Sequence, residues 1–157
     1  AEKYNISKKP LLIKVSPDLS DSQICAIADL AIQTECSGII ATNTTTKRPG
    51  NQGVMIETGG LSGEPLKNRS TQVIHLIYEQ TKGKIPIIGV GGISSPQSAW
   101  EKVAAGASLL QLYSGLVFHG PKLIKLINKG LLKKIKEHDY ASFSEAVGHA
   151  HRGELSE

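Results

Sequence analysis

Lys14 stands inside an unbroken apolar run, Leu11-Leu12-Ile13-Lys14-Val15. An ammonium in such a run is costly to desolvate unless an anion pairs with it. Three roles are open to it: a Schiff-base nucleophile, one half of a structural ion pair, or a cation held against a cofactor that becomes negative. A second run ends in Ala41-Thr42-Asn43-Thr44-Thr45. Short hydroxyl and amide side chains there can bond carboxylates and ring carbonyls without adding charge, although a capped turn uses the same residues. The segment that follows, Thr58-Gly59-Gly60-Leu61-Ser62-Gly63-Glu64-Pro65-Leu66, favours a ligand. Its glycines and serine, placed ahead of a helix, can present backbone N–H groups to a phosphate.

A third run, Pro86-Ile87-Ile88-Gly89-Val90-Gly91-Gly92-Ile93, ends in glycines that let a ligand approach the backbone. A fourth ends in Gln111-Leu112-Tyr113-Ser114-Gly115, which adds hydroxyls and another N–H. Two such strand ends plus the Gly-Gly-Leu-Ser-Gly loop point to a phosphorylated ligand. The histidines say less. His75 falls mid-helix, at the surface or its boundary, and His138, His149 and His151 near the C-terminus lack metal spacing. His119, before Gly120-Pro121, is a weaker candidate for contact with the site. No nucleophile elbow, Walker loop or Rossmann fingerprint is found.

The elements that must position these residues follow from periodicity. The runs at 11–15, 38–42, 85–90 and 109–113 do not alternate apolar with polar, so each reads as a strand buried on both faces of a parallel sheet. Helix signals follow each one. Ser20 and Asp21 cap a helix to about Glu35, a second runs from about Ser70 to Thr81, and a third starts at Ser95-Pro96 and stops before Gly106. A basic helix follows Gly120-Pro121, with Leu123, Ile124, Ile127, Leu131 and Ile135 opposite its lysines, and Ser142 caps a last short helix through His149. Four strand–helix repeats make an α/β chain, and a complete β/α barrel needs eight.

Bulk properties set outer bounds. The 157 residues are 39% hydrophobic and 20% charged, an ordinary balance for one soluble domain. Much of the net charge of +4 lies on Lys122, Lys125, Lys129, Lys133 and Lys136, which read as the wet side of an outer helix. No aromatic residues interleave with them, so no nucleic-acid partner is expected. Cys25 and Cys36 fit neither a zinc site nor a disulfide framework and read as reduced core thiols. No export signal or membrane-spanning run is visible.

Taken in order, KVSPDLS, GIIATNTT, TGGLSGEPL, IPIIGVGGI, GASLLQLYSG, GPKLI and the C-terminal FSEAVGHAHR resemble the quinone-linked class of dihydroorotate dehydrogenases from about residue 10 onward. The resemblance implies the C-terminal half, about four βα units, of a TIM-type barrel. Residues 1–157 would then be a single fragment, with residues 1–10 a leading loop and 138–157 a tail carrying a short helix. It implies FMN as cofactor and oxidation of dihydroorotate to orotate with a quinone as acceptor, a step of pyrimidine biosynthesis. Lys14 would lie against the flavin N1/O2 edge. Thr42, Gly63, Gly92, Tyr113 and Ser114 would also hold FMN, and Asn43 and Thr44 would bind the pyrimidine. The family's catalytic base, a serine in this class, falls in the N-terminal half, so no catalytic residue is expected here and the chain alone should not turn over. Membrane contact at the cytoplasmic side would come from N-terminal helices outside this chain, the fragment itself being soluble. Open sheet edges would drive it to self-associate. The rival readings are a non-catalytic half-barrel that binds FMN or another phosphate ligand, a Schiff-base aldolase using Lys14, and a purely structural fragment that binds nothing.

Overall fold

The computed structural model describes residues 9–48 and 58–152. Most of the expected leading loop, residues 49–57 between Asn43 and Leu66, and the end of the C-terminal tail lie outside the described residues. Four strands, β1 (Leu12–Val15), β2 (Gly38–Ala41), β3 (Ile87–Val90) and β4 (Leu109–Gln111), form one parallel sheet in the order β1-β2-β3-β4. All four expected strands are present, each a residue or two shorter than its apolar run. Pro86 explains the late start of β3. It has no N–H to give to the ladder, and its carbonyl accepts from the Ile39 amide at 3.0 Å.

Among the described residues, helices cover one face of this sheet. Ile13, Val15, Ile39, Ala41, Ile87 and Leu110 turn toward Ile24, Ala28 and Ala31 of α1 (Asp21–Gln33) and Val73, Ile74 and Ile77 of α2 (Lys67–Thr81). The other face carries a cross-strand row of Lys14, Ile40, Ile88 and Leu109. There Leu12 is 38% and Leu109 60% exposed. The expectation of strands buried on both faces is therefore corrected. An apolar run reports what a strand is built to bury, and among the described residues nothing fully covers the second side.

Helix starts follow side-chain chemistry. Ser20 and Gln23 form a capping box on α1, and Ser95 and Ser98 form another on α3 (Pro96–Ala104), where Pro96 takes the first turn. The helix expected from Ser70 begins at Lys67 instead, because a 3₁₀ turn over Glu64–Leu66 feeds straight into it without a side-chain cap. A short helix the sequence did not suggest, α4 (Ser114–His119), stops at Gly120 and leads into the basic helix α5 (Lys122–Glu137). Leu123, Ile127 and Leu131 of α5 are buried against α3, whereas Ile124 is exposed. Ser142 caps α6 (Phe143–Ala146), and Gly148 in the left-handed region divides it from a 3₁₀ turn at His149–His151. Both cysteines are free thiols at intermediate burial, less enclosed than a core reading implies.

Candidate functional site

The eight residues singled out from the sequence line one cavity of about 780 Å³ at the C-terminal ends of the strands. Lys14 comes from β1. Thr42, Asn43 and Thr44 follow β2, with a cis peptide joining Ala41 to Thr42. Gly63 comes from the loop before α2, Gly92 from the end of β3, and Tyr113 and Ser114 from the junction of β4 with α4. Strand polarity brings them together, since every parallel strand delivers its C-terminal loop to the same side.

The walls divide by chemistry. Leu66, Val90, Ile93, Leu112 and Phe118 supply apolar surface. The hydroxyls of Ser62 and Ser114 meet at 2.7 Å, tying the glycine loop to the start of α4. Gly63 has φ +81 and lies against Ser114. Gly115 packs under the Ile93 carbonyl, where a Cβ would sit 2.2 Å from that oxygen. A cavity with glycines and hydroxyls, apolar walls and one ammonium can take a partly apolar ligand that bears an anionic group. His119 also lines it. The remaining histidines pack away from it: His75 stacks on His151 at 4.0 Å between ring centres, and His149 receives or gives a 2.8 Å hydrogen bond with the Tyr140 hydroxyl.

Two supports were not singled out from the sequence. Asp18, in the loop after β1, accepts from the Thr45 hydroxyl and from the Thr46 amide and hydroxyl, the last two at 2.8 Å. Burial pushes its carboxyl up, but these hydrogen bonds and nearby Lys47 outweigh that and hold it below its ordinary range. Thr45 and Leu61 also exchange backbone hydrogen bonds, at 3.1 and 2.8 Å, and Arg48 donates to the carbonyls of Thr45 and Gly59. The loop after β1 thus holds the connection that carries Asn43, Thr44 and the glycine loop. An Asp two residues beyond Lys14-Val15-Ser16, just after Pro17, was the available signal.

The second support is Lys102 of α3, fully buried, which donates to the Lys67 carbonyl at 2.7 Å, to Ser70 Oγ at 2.6 Å and to Thr71 Oγ1. Burial pushes its ammonium down to about 7, with Glu101 and Glu64 opposing and Lys67 reinforcing the fall. Its signal was positional: Lys102 shares a helix face with Ser98 and Ala99, both buried.

The family model described as dihydroorotate dehydrogenase matches residues 1–135. A dihydroorotate dehydrogenase (quinone) from Trichodesmium erythraeum is 50% identical over 94% of this chain and 42% of its own length. That from Crocosphaera subtropica is 49% identical, over 94% and 41%. A crystal structure of the Eimeria tenella enzyme DHODH in complex with ferulenol superposes with a TM-score of 0.85 at 36% identity, over 94% of this chain and 40% of that one. The chain therefore spans about two fifths of the length of the relatives it matches. The four βα units expected from the sequence are the part of the β/α barrel it shares with them. With the motif order, the strand order and the superposition in agreement, the chain belongs to the dihydroorotate dehydrogenase family.

Proposed function

We propose that this chain forms the FMN-gripping part of a quinone-linked dihydroorotate dehydrogenase, the convergence of its eight candidate residues on one cavity being the observation that carries the reading. Bound FMN would supply the hydride acceptor for dihydroorotate and the route for electrons to a quinone. Lys14 would hold the ring's N1/O2 edge, where its ammonium would stabilise negative charge. Thr42 holds the ring, and Asn43 and Thr44 orient the pyrimidine by neutral hydrogen bonds. Gly63, Gly92, Tyr113 and Ser114 enclose the phosphate and its chain, with Gly92 in the left-handed region so that backbone N–H groups can turn to an anion. The base that removes the substrate proton lies outside this chain, so the chain binds flavin without turning over dihydroorotate. Among the described residues no helix is long and apolar enough to cross a membrane.

Titrating FMN into the chain while following flavin fluorescence tests this reading. Saturable quenching is expected, weakened about tenfold by Lys14→Met, as befits a lost charge-assisted contact. Absence of saturable quenching would overturn it. Borohydride trapping of a ketone or aldehyde on Lys14, with no flavin bound, would replace it by the Schiff-base reading.

A further inference from the structure

Among the described residues Lys102 is the only charged side chain in the buried set, and it does not line the cavity. All three of its donors are used, on the Lys67 carbonyl and the hydroxyls of Ser70 and Thr71. These acceptors make up the first turn of α2. Ser70 accepts from Lys102 and has its one proton placed between the Lys67 carbonyl at 3.2 Å and the Gly91 carbonyl at 3.1 Å. The Gly91-Gly92 turn lies flush on the same helical turn. A Cβ on Gly92 would come within 2.5–2.8 Å of Lys67 Cβ, Cα and N, and one on Gly91 within 2.9 Å of Ser70 Oγ. Lys102 is thus one hydrogen-bonded residue removed from a turn that lines the cavity.

Helix stability does not account for this arrangement. A cation beside the first turn of a helix opposes the macrodipole. Burying an ammonium is also costly, and an apolar side chain of similar volume is often neutral or better at such a position. What the side chain adds is a fixed place for α2 relative to β3, held by its three hydrogen bonds.

We propose that Lys102 is a positioning residue that, through Ser70, sets the Gly91-Gly92 turn and so makes the site prefer a phosphorylated flavin to an unphosphorylated one. The inference deepens the FMN reading and rests on it for the identity of the ligand. Two variants test it in the full chain, Lys102→Met and the milder Ser70→Ala, each with two readouts. The first is the ratio of FMN to riboflavin affinity, and the second is amide hydrogen exchange without ligand. Both variants should lower the affinity ratio about tenfold while leaving riboflavin binding within about twofold. Exchange should quicken at 91–94 together with 67–71, with α1 and α5 unchanged. Equal weakening of both flavins, or unchanged exchange at 91–94, would overturn the proposal. If Lys102→Met does not fold, Ser70→Ala carries both measurements. Were the unmodified chain to bind neither flavin, the FMN reading would fall, and the exchange data would still decide whether Lys102 governs the turn.

Discussion

Asp18 and Lys102 hold the two ends of the cavity by opposite chemistry, a carboxylate that gathers donors and an ammonium that gathers acceptors. For Asp18 the carboxyl is held low in the folded chain. Its stabilisation is therefore present above the unfolded carboxylate value, about 3.9, and is lost as pH falls through the lower folded value. Asp18→Asn should lower the melting temperature at pH 7 by a few degrees, at about 2–4 °C per kcal/mol for a chain of this size. The gap from the unmodified chain should close toward pH 3 in thermal melts across that range. A constant gap would mean that the charge is irrelevant. Lys14, Asn43 and Ser114 were legible as chemistry because their types are conspicuous at strand ends. Asp18 and Lys102 were not, because their importance lies in partners 27 to 35 residues away, which spacing along one element does not reveal.

Strands and most helices were readable because each is a local matter of periodicity and capping. The capping boxes at Ser20 and Ser95 are written within four residues of sequence, and both formed. The start of α2 was placed three residues late because the 3₁₀ turn over Glu64–Leu66 runs straight into Lys67, and the Ser70 hydroxyl is used by Lys102, Lys67 and Gly91. Likewise α4 went unseen because Ser114-Gly115 reads as a donor-rich strand end and not as the start of a helix. Gly115 sits inside a helix because nothing larger fits beneath the Ile93 carbonyl. In both cases a tertiary contact overrides a local preference. The burial of the strands was misjudged for a related reason: an apolar run does not say whether anything in the same chain covers its second face.

At the scale of the whole molecule, the half-covered sheet is the dominant feature. The row of Ile40, Ile88 and Leu109, with Leu12 beside it, presents apolar surface between two open edges, β1 and β4. We infer that the remaining length seen in the relatives covers this face, and that without it the chain pairs with copies of itself. Light scattering should give a mass above that of one chain, rising with concentration, and Leu109→Lys should lower it; a sharp monomer at all concentrations would end the idea. The strand order has a further bearing, on time rather than on structure. Paired residues are 26 apart between β1 and β2 and 21 apart between β3 and β4, but 48 apart between β2 and β3. Closing the longer loop costs about 0.6 kcal/mol more for each doubling of length, and its long-range pairing is slow to be rewarded. The chain should therefore assemble as two hairpin-like βαβ pieces that dock last along one seam. Pulse-labelled exchange would find the Asn43 amide, which donates to Val15, protected before its neighbour Thr42, which donates across the seam to Val90.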